Sequence, residues 1–224
     1  MDAVLDLVKV LADPTAVFTR VGERPRVLVP AAALVVVALG IAVSLRPFYE
    51  AAIQTVMSHL TPQQLEKAPS ASIQATVGLV LFPLNVVVML LVGALLLWIN
   101  VSLLAGDAKY RTLLSVLAYS FVSFVFFSAV VLWLRGPGSI ASMEDLRPAL
   151  GLDLAYAGDS PFLGALLNSI NPFSIYGVWL AGVGVAVTHR VSRPTGYTAA
   201  GISYFVGALI LSGLATLQGS GARP

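Results

Sequence analysis

The sequence predicts an all-α, polytopic membrane protein with five transmembrane helices and short interfacial helices. The chain has 224 residues, of which 58% are hydrophobic and only 11% are charged, whereas soluble domains carry roughly 25% charged residues. Every charged residue lies outside five charge-free stretches, which are 27–45, 68–106, 112–134, 160–189 and 194–222. Because one charge at the centre of a membrane helix costs about 2.5–3.5 kcal/mol, this segregation indicates a bilayer.

Residues 1–26 form the predicted cytoplasmic interfacial segment. Apolar residues at helical spacing predict a short helix over 2–12, which lies either on the membrane surface or against the cytoplasmic end of the bundle. Asp13 as the N-cap and Pro14 at the first helical position predict a second short helix. We expect the side chains of its Val17 and Phe18 to dip into the membrane interface.

Residues 27–217 make up the predicted transmembrane domain, and 218–224 form a polar tail. As a helix, the first span over 27–45 is about 29 Å long, close to the thickness of the hydrocarbon core. We expect Arg46-Pro47 to end this span and to open an outer loop. Within that loop, Thr61-Pro62-Gln63-Gln64 predicts a short capped helix.

Helix breakers lie within two of the other four charge-free stretches, 68–106 and 160–189. Span two lies within 73–104, where Pro83 is expected to kink the helix. A helix over 162–170 is predicted at the membrane interface before Asn171-Pro172 breaks the chain and starts span four, 173–188. The other two are span three, 112–134, and span five, 197–217.

Loop charges predict the orientation of the chain. With the N-terminus inside, the inner segments hold 8 basic and 5 acidic residues, and the outer segments hold 5 basic and 6 acidic residues. Since cytoplasmic loops carry an excess of Lys and Arg, we expect the N-terminus in the cytoplasm and the C-terminus outside.

Most catalytic chemistry is excluded because its residues are missing. The chain has no cysteine, and its two histidines, His59 and His189, lie outside the span interiors. It has no His-Glu-x-x-His run for zinc and no glycine-rich phosphate loop. Ion-coupled transporters usually keep ionisable residues within their spans. This chain has none there, which argues against ion-coupled transport. We therefore expect no enzyme activity, cofactor or metal, and the net charge of +2 is too small to indicate nucleic acid.

Two groups of polar residues are candidate sites. Polar side chains inside the spans form either a cavity or partner site, or ordinary interhelical contacts worth about 0.6 kcal/mol each. The basic residues of the inner segments are expected to hold anionic lipid headgroups at about 1 kcal/mol per residue. The intramembrane candidates are Asn85, Tyr119, Ser120 and Asn171, and the headgroup candidates are Arg20, Arg24, Arg26, Lys109, Arg111, Arg190 and Arg193.

Three segments together resemble the Yip domain family, the Ypt/Rab-interacting proteins, in its prokaryotic branch. They are Asp13-Pro14-Thr15-Ala16-Val17-Phe18-Thr19-Arg20, the turn Gly106-Asp107-Ala108-Lys109-Tyr110-Arg111 running on to Ala118-Tyr119-Ser120, and Asn171-Pro172-Phe173-Ser174-Ile175-Tyr176-Gly177-Val178-Trp179. The family often has a proline shortly after Ala-Tyr-Ser, whereas Phe121-Val122-Ser123-Phe124 follows here.

The resemblance implies five membrane helices with a cytoplasmic N-terminus, here in a prokaryotic inner membrane. Eukaryotic relatives act in vesicle trafficking and bind prenylated small GTPases, but the long N-terminal region associated with that role is short here, so GTPase binding is not carried over. We expect a non-enzymatic scaffold, an accessory subunit of a membrane complex or a membrane-organising factor, with lipids and other membrane subunits as partners. The alternative is a transporter or channel for a small neutral or lipidic substrate.

Overall fold

The computed structural model describes residues 2–140, 142, 144–146 and 150–220. These residues form ten α-helices and three short 3-10 turns, with no strand among them, which confirms the all-α class. The helices are α1 (Asp2–Lys9), α2 (Pro14–Glu23), α3 (Leu28–Ser44), α4 (Arg46–Ser58), α5 (Pro62–Lys67), α6 (Ala71–Ala105), α7 (Tyr110–Arg135), α8 (Pro161–Ser169), α9 (Pro172–Thr188) and α10 (Arg193–Ser220).

Local capping sets three of the helix starts. The carboxylate of Asp13 caps α2, Thr61 and Gln64 form a capping box at α5, and Asn171 and Ser174 form another at α9. A proline follows each cap residue, where its fixed φ suits the first helical turn and its missing N–H leaves no bond unmade. All three starts were predicted from the sequence and are confirmed.

Several helices have the length and hydropathy of membrane spans. By these two measures α6 qualifies by itself, as does Arg193–Leu214 within α10. Two helix pairs qualify together but are bent, by 52° between α3 and α4 and by 57° between α8 and α9. The described residues therefore hold two to four candidate spans. Predicted span three, 112–134, corresponds to α7, which has 26 residues.

The first span ends where predicted, since α3 runs to Ser44, but the segment after it is a helix and not the expected loop. Arg46-Pro47 does not open a loop, because the chain breaks only at Leu45 and continues as α4. Pro47 lies in the first turn of α4, where a proline is tolerated. Arg46 also donates a 2.8 Å bond to Glu50 one turn later, which favours continued helix.

The helix α6 is longer than one bilayer crossing requires. Its 35 residues extend over about 52 Å, compared with a hydrocarbon core of roughly 30 Å. Pro83 lies inside this helix without ending it, because neighbouring groups in membrane helices can satisfy the carbonyl that a proline leaves free. The kink at Pro83 stays a prediction.

The chain divides into two compact units. Unit 1 comprises Met1–Ala33, Met89–Phe124 and Ala149–Pro224, and unit 2 comprises Leu34–Val88 and Val125–Pro148. Within unit 2, the indole N–H of Trp133 donates a 3.1 Å bond to the hydroxyl of Ser44. Polar contacts of this kind hold the ends of two apolar helices together.

The N-terminal helices belong to the core of unit 1. Val17 and Phe18, which we expected at a membrane interface, are fully buried. The reason is that α2 lies along α9. Near the end of α9, a Cβ on Gly22 would lie 3.4 Å from the Cα atom of Thr188. Near the start of α9, the hydroxyl of Tyr176 donates a 2.6 Å bond to the carbonyl of Leu11, just before α2. Leu7 of α1 and Val10 directly after this helix are also buried in this core, which favours packing on the bundle over the membrane surface.

Small residues allow α9 and α10 to approach closely. A Cβ on Gly196 would overlap the carbonyl oxygen of Gly182 and lie 3.0 Å from the main-chain nitrogen of Ala186. A Cβ on Gly184 would lie 2.5 Å from a methyl group of Val116. The close approach of the Gly196 backbone to Gly182 is typical of membrane helices joined by small residues.

Candidate functional site

Three connecting segments meet at one end of unit 1. The backbone N–H of Lys109, in the turn between α6 and α7, donates a 3.3 Å bond to Nε2 of His189, at the end of α9. The end of α2 lies beside the same turn of α9, since Gly22 faces Thr188. This end, which we call the basic end, carries the seven predicted headgroup residues, Arg20, Arg24, Arg26, Lys109, Arg111, Arg190 and Arg193, and all seven are exposed.

Backbone conformation explains how two of these segments turn. Gly106 has φ of 85° directly after α6, a left-handed conformation that glycine adopts without strain and that commonly ends helices. Arg190 has φ of 54° after α9, and the N–H of Val191 returns to the carbonyl of Ala186 at 3.1 Å. The charge of Arg190 therefore lies at the carboxyl end of α9, where the helix dipole favours a cation.

Arg20 differs from the other six basic residues in having an acidic partner. Its Nη2 lies 2.6 Å from Oδ1 of Asp6, and its Nε donates to Oδ2 at 3.3 Å. The hydrogen bonds to Asp6 raise the pKa of Arg20 above its ordinary value. In the part of the chain that the structure describes, none of the other six takes part in a salt bridge. The exposed Glu23 and Asp107 on the same segments offset only part of this positive charge.

His189 connects the segments of the basic end. Its Nε2 accepts the Lys109 N–H, so in the neutral ring Nδ1 carries the proton and donates to the Thr188 hydroxyl at 2.9 Å. That hydroxyl in turn donates to the carbonyl of Gly184 at 2.7 Å. Burial lowers the pKa of His189, Asp107 opposes this shift, and Lys109 adds to it. The geometry and the lowered pKa both favour the neutral imidazole.

The predicted polar residues of span three are buried in the core of unit 1. Tyr119 and Ser120 are each only 2% exposed. The hydroxyl of Ser120 donates to the carbonyl of Val116 at 2.9 Å, one turn earlier in α7.

Asn171 caps a helix from a buried position. Its Oδ1 accepts from the N–H groups of Phe173 and Ser174 at 3.1 and 3.0 Å, and its Nδ2 donates to the carbonyls of Asn168 and Ser169 at 3.2 and 3.4 Å. These bonds satisfy the backbone groups that the break between α8 and α9 leaves free, as a helix break at membrane depth requires.

Asn85 does not join the other three polar candidates in one unit. It lies in α6 within unit 2, while Tyr119, Ser120 and Asn171 lie in unit 1. Its side chain is exposed. Across unit 1, the side chain of Asn100 instead donates to Ser203 at 3.1 Å, a pair that the sequence analysis did not identify.

Sequence reasoning also missed two residues of the basic end, Asp6 and His189. One usable signal was the placement of His189 at the end of a charge-free stretch, where an imidazole can interact with a helix terminus. Asp6 gave no such signal, because its partner Arg20 lies on another helix. Among the described residues, no three His, Asp or Glu side chains come together as metal ligands would, and the expectation of no cofactor stays a prediction.

Comparisons with known proteins agree with the family resemblance seen in the sequence. The family model described as the Yip1 domain matches residues 8–217, from within α1 to within α10. The chain is also similar to membrane protein YknW of Bacillus subtilis (strain 168), with 28% identity over 198 residues, covering 85% of this chain and 81% of YknW. No solved structure matches the chain.

Proposed function

Because this chain belongs to the Yip1 domain family, we propose that it is a non-enzymatic integral membrane protein that organises the bilayer or a membrane complex around it. It would act as a scaffold or accessory subunit, or as a membrane-organising factor, in a prokaryotic inner membrane. The basic end would bind anionic lipid headgroups on the cytoplasmic side.

The convergence of three basic segments carries this proposal. Six exposed cations without a salt bridge in the described chain lie in the connections that meet around His189 or in the first turn of the helix that follows. Each basic residue near an anionic membrane surface contributes about 1 kcal/mol, so the group together could enrich anionic lipids around this end.

Lipid selectivity in reconstituted vesicles tests the headgroup role. The full chain is placed in phosphatidylcholine vesicles that contain spin-labelled phosphatidylglycerol or spin-labelled phosphatidylcholine, and the immobilised fraction of each label is measured. We expect preferential immobilisation of the phosphatidylglycerol label. Replacing Arg24, Arg26, Lys109, Arg111, Arg190 and Arg193 by Gln should reduce this preference several-fold, and so should high salt, because ions screen exposed charges.

A matched variant separates position from total charge. Arg46 and Lys67 are basic residues of the predicted outer segments, and the R46Q/K67Q variant should retain the preference for phosphatidylglycerol. Equal selectivity in the wild type and the six-fold variant would refute the headgroup role, as would an equal loss in R46Q/K67Q.

The buried polar residues support a scaffold over the alternative, a transporter or channel. A solute pathway requires polar groups that line a common water-accessible cavity, but Ser120 bonds within its own helix and Asn171 bonds between 168 and 174. For the accessory role, gentle extraction of the native protein should recover other membrane proteins with it. Recovery of a clean monomer after chemical cross-linking would contradict that role.

The proposed orientation can be tested directly because the chain has no cysteine. Ser139 and Ser192 are both exposed and lie in predicted outer and inner segments. A membrane-impermeant maleimide should label S139C in spheroplasts, whose inner membrane it can reach, and S192C only after that membrane is opened. Labelling of both before opening, or the reverse pattern, would contradict N-inside topology.

A further inference from the structure

An apolar groove lies where the break between α8 and α9 faces α10. One wall is formed by Ile170, Ile175 and Val178, and the other by Gly201 and Phe205. The groove is half open and has a volume of about 220 Å³. An enclosed apolar cavity of about 150 Å³ is large enough to bind benzene, so this groove can hold several methylene groups of a hydrocarbon chain.

The position of the groove determines which solvent it meets. Its α10 wall lies in the middle of the candidate span Arg193–Leu214, and its other wall belongs to the bent pair α8 and α9, which also qualifies as a span. The groove continues onto an apolar surface where Ile175 is 59% and Phe205 is 51% exposed. In a protein of a membrane family, an apolar surface at this depth is covered by acyl chains.

The polar groups next to the groove are already satisfied by the protein. The hydroxyl of Tyr204 donates to the carbonyl of Ser169, and Ser174 donates to the same carbonyl at 2.6 Å. These bonds turn the polar atoms of the helix break away from the opening and leave the aromatic ring of Tyr204 as part of the wall. The occupant therefore needs no polar group to match.

From this geometry we propose that the groove is a binding site for one acyl chain of a membrane lipid. The missing side chain at Gly201 makes the space: a Cβ there would meet no atom within 4 Å. The chain would pack between Ile175 and Phe205 and cover the bend between α8 and α9. This site uses the hydrocarbon part of a lipid, so it stands apart from the headgroup role of the basic end.

Photo-cross-linking with a neutral lipid tests the proposal without involving the basic end. The full chain is reconstituted in phosphatidylcholine vesicles that contain, as a minor component, phosphatidylcholine with a diazirine in its acyl chain. Mass spectrometry after illumination locates the adducts. We expect several-fold more adduct on peptides around Ile175 and Phe205 than around Val80 and Leu84 of α6, which are 67% and 57% exposed.

Filling the groove should remove the signal from it selectively. In the G201L variant, adducts at Ile175 and Phe205 should fall to the level of the α6 surface, and G201A should show a smaller decrease. The matched control is G213L on the same helix, because Gly213 also has open space around it and lies outside the groove. Unchanged adducts on α6 show that each variant is still folded.

Two results would overturn the proposal. The first is that, in the wild type, the groove gives no more adduct than the α6 surface and the adduct yield in the groove is the same in G201L. The other is a cross-link from a photoreactive residue at position 205 to a second copy of the chain, which would mean that the groove is a protein interface.

Discussion

The N–H of Lys109 points at Nε2 of His189 over 3.3 Å and joins the turn after α6 to the end of α9. A protonated imidazole has no lone pair at Nε2 and cannot accept this bond. It would also place a positive charge beside the cation of Lys109, which lowers the pKa of His189. The contact therefore exists only with the neutral ring.

This relationship predicts that stability falls in mildly acidic solution. Burial holds the pKa of folded His189 below the ordinary value of 6.5, so the unfolded chain takes up the proton first as the pH falls. The stabilisation is complete above pH 6.5 and is lost between that value and the lower pKa of the folded state. We expect the apparent unfolding temperature of the detergent-solubilised protein to decrease over this window.

The H189Q variant should show a weaker pH dependence over the same window, because glutamine can accept the Lys109 bond without titrating. H59Q removes the other imidazole and serves as the control. A pH dependence that is identical in the wild type and H189Q would contradict the role assigned to His189.

The close approach of α9 and α10 predicts a strong effect of a single methyl group. In G196A the new Cβ would collide with the backbone of Gly182 and press on Ala186, and overpacking of this kind costs roughly 1–3 kcal/mol. G213A adds the same group to the same helix where nothing lies within 4 Å, and it should gain about 0.5–1 kcal/mol of helix stability. Thermal unfolding of both variants should shift in opposite directions, and a neutral G196A would contradict the close contact.

The Asp6–Arg20 pair predicts an asymmetry between its two members. The Asp6 side chain is 10% exposed and that of Arg20 is 49% exposed. R20A leaves a nearly buried carboxylate without its donors, at a cost of roughly 1–3 kcal/mol, whereas in D6N the free guanidinium can reach water. R20A should therefore lower the unfolding temperature more than D6N does. The exposed pair Arg46–Glu50 is the control, since R46A should change stability by no more than about 0.5 kcal/mol. Equal decreases in unfolding temperature for R20A and D6N would contradict the asymmetry.

Local signals in the sequence predicted those parts of the fold that depend on neighbouring residues. The caps at Asp13, Thr61 and Asn171 each use partners within three residues, so residue type and spacing were sufficient. The start of α4 directly after Leu45 was not predicted, because Arg46-Pro47 is compatible with both the end of one helix and the start of another. Long-range packing decides between the two.

The candidate site depended more on contacts between distant segments. Loop charge identified the basic residues, but their convergence rests on the bond between Lys109 and His189, which lie 80 positions apart. Apolar spacing in α2 did not reveal that Phe18 faces α9 instead of lipid, because a helix face is equally apolar in both environments. Asn171 was one of the intramembrane candidates, and in the structure its side chain caps α9.

Replacing Asp153 by asparagine should stabilise the protein, because one oxygen of its carboxylate is buried without a hydrogen-bond donor among the described residues. Its Oδ2 accepts from Nδ2 of Asn168 at 3.0 Å, while its Oδ1 is buried and has no hydrogen-bond partner among the described residues. A Cβ on Gly151 would lie 2.6 Å both from this Oδ1 and from the carbonyl oxygen of Asn168, so two acceptors face the same small space. An unsatisfied buried acceptor costs about 1–3 kcal/mol.

In D153N the amide can keep the bond from Asn168 through its oxygen and place an N–H donor where Oδ1 was. We expect a higher apparent unfolding temperature at neutral pH, by an amount that corresponds to about 1 kcal/mol. D153L removes the acceptor of the Asn168 amide and should be less stable than the wild type. D159N neutralises an exposed acid nearby and should have no effect, which separates hydrogen bonding from net charge. If D153N were destabilised as much as D153L, the carboxylate itself would be required, and Oδ1 would have to interact with a cation or donor that the side chains around it do not provide.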